Sequence, residues 1–236
     1  IPPLTEDTDF SVADAYRIQS RFVELIGDGA PAIAGHKLGL VSEAKQEQLG
    51  IQEPIFGYVA ENTVLDEPVI PTEELISPRI EAEIGLVLDK DITAPVSTTD
   101  VLSATRAVVP VIEILESRFQ GWTIPTAQDV IADNTSAGRV FIGERLHDVT
   151  DVDIPMESVV VSVNGEVEAT GTGADIMGHP ARAVQWLGNR LSSRDERLEA
   201  GEVLLTGGIT AAIDIEPGDV YHVEFGSLGS VQLRAE

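Results

Sequence analysis

The sequence predicts a mixed α+β fold that is predominantly β. Three observations carry this. Short apolar or alternating runs recur between turn signals along most of the chain, and only a few segments have helical periodicity. No repeat, linker or low-complexity stretch interrupts them. The 236 residues are 43% hydrophobic with a mean hydropathy of +0.08, which suits one sizeable core and argues against disorder.

In order, Asp9 to Ile26 reads as a helix. Ser11 is its cap, an apolar stripe runs from Phe10 to Ile26, and Gly27-Asp28-Gly29 is its stop. This divides the chain into an N-terminal helical extension, residues 1–32, and a main body, residues 33–236. Ile33 to Leu40 reads as a strand. Ser42 caps a short helix through Leu49, and Gly50 ends it. Pro54 to Tyr58 starts another extended segment, and Pro68 and Pro71 break the chain before a strand at Arg79–Leu88. Val101 to Ala107 is expected to be helical. Val111 to Arg118 follows as an apolar strand carrying acids.

Ile124-Pro125-Thr126 opens a helix through Ala132, and 133–138 reads as a polar loop before a strand at Arg139–Ile142. Val159–Val163 and Glu166–Thr170 flank Asn164-Gly165, a hairpin signal. His179-Pro180 begins a helix over 181–191, where His179 reads as a capping residue. Residues 201–208 form a short strand into a glycine turn. That turn lacks the lysine and following helix of a phosphate loop. Strands at 220–225 and 230–233 close the chain.

Within this frame Glu81 and Glu83 stand out. Successive strand side chains alternate faces, so the two carboxylates point the same way, about 7 Å apart at their attachment points. Other acid pairs, such as Glu166/Glu168 beside the hairpin turn, have solvated settings. Only Glu81 and Glu83 lead into a run as apolar as Ile84–Leu88. Two acids entering a buried element need a compensating cation, which a hard divalent metal supplies; a solvated strand edge is the competing reading. Glu113, with two apolar neighbours on each side, is a candidate third ligand, whereas Glu116 falls on the other face beside Arg118. Lys37 sits in an apolar, glycine-flanked strand. Either its stem snorkels to the surface, or its charge serves an anionic ligand or an enolate.

Charge narrows the function classes. The net charge is −25 with a pI near 4.3, and 12 of the 15 basic residues are Arg. Binding to nucleic acid or to an anionic membrane surface is disfavoured. No apolar run approaches the length that spans a bilayer. Without cysteine there are no disulfides or thiolate metal sites. Scattered acids with only three Lys over an ordinary core point to a salt-adapted cytoplasm, where ions screen the self-repulsion. The chain begins at Ile1, which predicts a preceding segment and leaves targeting open.

With Lys37, Glu81, Glu83 and Glu113 placed, the chain resembles the fumarylacetoacetate hydrolase superfamily, in its branch of 2-oxopent-4-enoate hydratases and 4-oxalocrotonate (2-oxo-3-hexenedioate) decarboxylases. The resemblance runs from Phe10 to Leu233. It rests on Gly35-His36-Lys37-Leu38-Gly39-Leu40, Ile80-Glu81-Ala82-Glu83-Ile84, Val111-Ile112-Glu113-Ile114, Val130-Ile131-Ala132-Asp133-Asn134, Gly178-His179-Pro180, the 206–212 segment and Pro217-Gly218-Asp219. It implies a rolled, mixed sheet with peripheral helices and one Mg²⁺ or Mn²⁺ held by Glu81, Glu83 and Glu113. It also implies a catalytic or substrate-binding Lys37 and a pocket lined by Leu49 and Ser136. The hydratases carry an Asp where this chain has Ile55, and that departure favours decarboxylation of a small 2-oxo acid. A homo-oligomer, and a complex with a related hydratase, are the implied partners. The hydratase, another acylpyruvate hydrolase or decarboxylase, and a non-catalytic partner subunit are the alternatives.

Overall fold

The computed structural model describes residues 1–26 and 32–236. The expected stop at Gly27-Asp28-Gly29 lies outside the described residues. The first helix, α1, spans Val12–Ile26, and Ser11 and Asp14 cap it reciprocally. A strand, β1 (Ile33–Gly39), leads to the one-and-a-half-turn helix α2 (Glu43–Gln48), where the Ser42 side chain accepts from the Lys45 N–H as expected. Then come β2 (Ile55–Ala60), β3 (Val69–Ile70) and β4 (Arg79–Leu88).

The next helix, α3, spans Thr98–Ala104, one turn earlier than the periodicity of 101–107 suggests. Ser97 and Asp100 form a capping box that fixes the start. Thr105 to Ala107 instead open β5 (Thr105–Leu115), because they pair with Leu88 and Val87 of β4. Pro110 therefore lies inside a strand. Its carbonyl accepts from the Gly143 N–H at 2.9 Å, so its missing donor also faces that end of the ladder and the β4 pairing survives.

The rest comprises α4 (Ala127–Ala132), β6 (Ala137–Ile142), β7 (Ser158–Val163), β8 (Glu166–Thr172), α5 (Pro180–Ser192), β9 (Val203–Leu205), β10 (Ile213–Asp214), β11 (Val220–Phe225) and β12 (Gly229–Ala235). At the β7–β8 hairpin Asn164 and Gly165 both have positive φ, as the Asn-Gly signal requires. His179 caps α5, its Nδ1 accepting from the Ala181 N–H at 3.0 Å.

Two sheets result. Seven strands follow the order β2-β1-β9-β4-β5-β6, with β10 beside β4; five follow β3-β12-β11-β7-β8. The larger sheet is mixed, since β1 pairs antiparallel with β2 and parallel with β9. The predominantly β, mixed α+β reading therefore stands. One face of β4 presents Ile80, Ala82, Ile84, Leu86 and Leu88 to the main core, which explains why β4 is so apolar. The other face carries Glu81, Glu83, Gly85 and Val87. Its far end closes over a smaller cluster of Val87, Val109, Val111 and Leu205. The site occupies the near end of that second face.

Candidate active site

Register brings the acids together. Glu81 pairs with Glu113 across the antiparallel β4–β5 ladder, and Glu83 lies two residues along on the same face. One carboxylate oxygen from each lies within 4.8 Å of the others. Glu83 and Glu113 are fully buried and Glu81 is 8% exposed, so the cluster is not a solvated strand edge.

Lys37 reaches the same place from β1. In the sheet it is level with Leu205 of β9, which is level with Gly85 of β4, so its side chain emerges on the acid-bearing face. It does not snorkel. Only 2% exposed, its Nζ lies 2.6 Å from Glu113 Oε1 and donates to the Thr135 carbonyl at 2.9 Å.

Electrostatics leave the cluster short of positive charge. Burial, then the Glu113 and Glu81 carboxylates, drive the Glu83 carboxyl well above its usual range; Lys37 and the Gly207 N–H oppose this. Burial also raises Glu113, against Lys37. Glu83 Oε1 and Glu113 Oε2 are buried and receive no hydrogen bond. Three converging carboxylates, two of them with unsatisfied oxygens, form an all-oxygen donor set, and that fits a hard divalent cation. The glycine turn after β9 serves this set: Gly207, at φ +111°, donates to Glu83 Oε2 at 2.8 Å, and a side chain at Gly208 would strike the Glu81 carboxylate.

Beside the acids lies a cavity of about 310 Å³. Lys37, Glu81, Leu49, Ile55 and Ser136 line it, so these expected site residues meet around one space. Leu49 is the C-cap of α2, and Ile55, 2% exposed, opens β2. The Ser136 Oγ is buried without a hydrogen-bond partner.

Residues 133–138 depart from the expected polar loop. Asn134, Thr135 and Ser136 are buried and take positive φ of 52°, 55° and 55° in succession. Such backbone is costly for non-glycine residues and persists only when its surroundings over-determine it. Here Asn134 exchanges side-chain hydrogen bonds with both the N–H and the carbonyl of Tyr58, and the Thr135 hydroxyl donates to the Phe56 carbonyl. The reward is a Thr135 carbonyl aimed at Lys37. Sequence reading also missed Lys45, whose Nζ lies 3.2 Å from Glu81 Oε1, and Arg79 and Trp122 in the cavity wall. The scarcity of lysine was the available signal for Lys45.

A mixed sheet with a buried carboxylate cluster fit for a divalent cation defines a class of enzyme. The chain belongs to the fumarylacetoacetate hydrolase family: the family profile "Fumarylacetoacetate (FAA) hydrolase C-terminal" matches residues 33–235. Within it, the chain is 38% identical to the 4-oxalocrotonate decarboxylase of Pseudomonas sp. (strain CF600), over 99% of this chain and 89% of that protein. It is 36% identical to the 2-oxo-hept-4-ene-1,7-dioate hydratase of Escherichia coli, over 96% of this chain and 87% of that one. The solved 4-oxalocrotonate decarboxylase of Pseudomonas putida G7, complexed with magnesium and adipate, superposes with a TM-score of 0.94 at 38% identity, covering 100% of this chain and 90% of that one. Decarboxylase and hydratase alike are lyases, and so is this protein.

Proposed function

We propose that the protein decarboxylates 2-oxo-3-hexenedioate (4-oxalocrotonate) to 2-hydroxypenta-2,4-dienoate, a step in the meta-cleavage breakdown of aromatic compounds. The carrying observation is Ile55. It is a buried, apolar side chain in the cavity wall, at the position where the resemblance to the hydratases implies an Asp. The likeness to decarboxylases along the whole chain supports the same reading.

The chemistry needs a sink for one electron pair. As the bond from C5 to the C6 carboxylate breaks, CO₂ departs. The pair moves through C4 and C3 to the C2 oxygen as a dienolate, and a proton on that oxygen gives the dienol product. Glu81, Glu83 and Glu113 would hold Mg²⁺ or Mn²⁺, which when bound supplies Lewis-acid stabilisation of charge on the C1 carboxylate and C2 oxygen. Lys37, fixed by Glu113 and the Thr135 carbonyl, directs a preorganised ammonium at that charge. The unpartnered Ser136 Oγ offers the substrate a hydrogen bond, and Leu49 and Ile55 keep water from the reacting chain.

With this reading go an N-terminal helical extension at residues 1–32 that docks on a catalytic body at 33–236, a cytoplasmic, salt-adapted setting, a homo-oligomer and association with a hydratase that consumes the dienol. The docking is supported by buried Gln19 of α1, whose Nε2 donates to the carbonyls of Phe56 and Ile131. No described helix is long and apolar enough to cross a membrane. The hydratase relatives sustain a second reading, addition of water to 2-hydroxypentadienoate. CO₂ release from 2-oxo-3-hexenedioate, with and without Mg²⁺ in high-salt buffer, tests the first. Metal-dependent release is expected. Its absence from folded protein, with loss of dienol absorbance on supplying 2-hydroxypentadienoate, transfers the assignment to the hydratase.

A further inference from the structure

The cavity wall holds three cations among the described residues: Lys37, Lys45 and Arg79. The first two are committed to acids of the cluster, Lys37 to Glu113 and Lys45 to Glu81. Arg79 differs. It lies on β4 on the same face as Glu81 and Glu83, one step further from the acids, so its attachment point is about 7 Å beyond that of Glu81. Its Nε donates to Asp214 Oδ1 at 2.7 Å, and its guanidinium stacks on the Trp122 ring at 4.4 Å. Trp122 is held in turn by its own Nε1–H, which donates to the Ser77 carbonyl at 2.9 Å. The two terminal nitrogens of Arg79 make no hydrogen bond or ion pair among the described residues.

We propose that Arg79 is the specificity-determining residue that reads the second carboxylate of a dicarboxylate substrate. The inference rests on the proposed reaction for the identity of the substrate. Asp214 occupies Nε and Trp122 occupies one face of the guanidinium. The edge left over is the planar pair of donors that matches a carboxylate fork to fork. A 2-oxo acid whose C1 end lies at the acid cluster presents the far end of its carbon chain toward the Arg79 end of the same strand face. A monocarboxylate of equal length would leave those donors without a partner.

The position also sets how the contact is expressed. Arg79 is about one-third exposed and already neutralised in part by Asp214, so the pairing is modest. It exists while the substrate carries its second carboxylate and disappears as neutral CO₂ forms. Such an interaction holds the ground state more tightly than the transition state, so its removal raises KM without lowering kcat.

Calorimetry of the Mg²⁺-loaded protein with adipate and with hexanoate, its single-carboxylate counterpart, tests this. Wild type is expected to prefer adipate by about fivefold. Arg79→Gln is expected to lose the preference while holding hexanoate as before, and Arg79→Lys to recover part of it. A preference intact in Arg79→Gln overturns the assignment. So does equal weakening toward both acids, the mark of a disturbed pocket. Metal-dependent CO₂ release by Arg79→Gln at an unaltered KM overturns Arg79 and leaves the proposed reaction standing. No CO₂ release from folded wild type overturns the reaction, and the adipate preference then decides Arg79 separately.

Discussion

Glu81 stands directly opposite Glu113 in the register of the β4–β5 ladder, and Glu83 completes a triangle of buried carboxylates from the next position on the same face. Like charges opposed across a ladder destabilise it, and burial multiplies the effect. A fold that keeps this arrangement trades stability for a set of oxygens that could hold a cation.

Removing one member should show that trade. Glu83→Gln keeps an acceptor for the Gly207 N–H and relieves the repulsion with Glu113. The metal-free variant is expected to be more stable than wild type by about 1–3 kcal/mol. It should lose most of its Mg²⁺ or Mn²⁺ affinity and most of the rise in Tm that the metal gives wild type. Thermal unfolding with and without metal measures both effects. Unaltered metal binding would remove Glu83 from the site.

Lys37→Met separates charge from fold. With the ammonium gone, Glu113 loses its partner, and the metal-free protein should fall by about 3 kcal/mol, a deficit that Mg²⁺ largely restores. Turnover of the metal-loaded variant should drop about a hundredfold or more. An unchanged rate would deny Lys37 its role in the reaction.

Asp133 should give the protein a pH-dependent weakness outside the acid cluster. Burial pushes its carboxyl up to about 6 from 3.8, against the pull of Arg118. A carboxyl raised in the fold binds its proton more tightly folded than unfolded. Its contribution is therefore intact below the unfolded value and is lost as pH rises through about 6, a penalty of about 3 kcal/mol once complete. Asp133→Asn removes this component, so the stability difference between variant and wild type should grow in the variant's favour from pH 4 to pH 7. Urea midpoints across that range provide the check. A difference that does not vary with pH would mean that the Arg118 pair offsets burial fully.

The net charge of −25 predicts a stability that salt raises. Most acids are exposed, and they outnumber Lys and Arg by 40 to 15, so screening relieves repulsion more than it weakens attraction. Tm should climb by about 5 °C or more as KCl rises from about 0.1 M to about 2 M. A flat or falling Tm would leave the acidic surface without a role in salt adaptation.

The sequence by itself determined which acids could share a face and which strand could carry them inward. Glu81 and Glu83 had to share a face once their strand was recognised, because side-chain alternation is a local property. An apolar flank marked that strand as buried, and the caps at Ser42 and His179 were legible for the same local reason. Tertiary structure decided what these residues do to one another. Pairing of Glu81 with Glu113 depends on the register of β4 against β5, and the level of Lys37 depends on β9, which follows it by more than 160 residues of chain. Pairing also drew Thr105–Ala107 out of the expected helix into β5. The left-handed run at Asn134–Ser136 had no signature in its residue types; only the Tyr58 and Phe56 backbone that clamps it makes it affordable. Alternation and capping act within a few residues, so a sequence displays them. Register, burial and the field of neighbouring charges arise between distant segments, and they exist only once those segments meet.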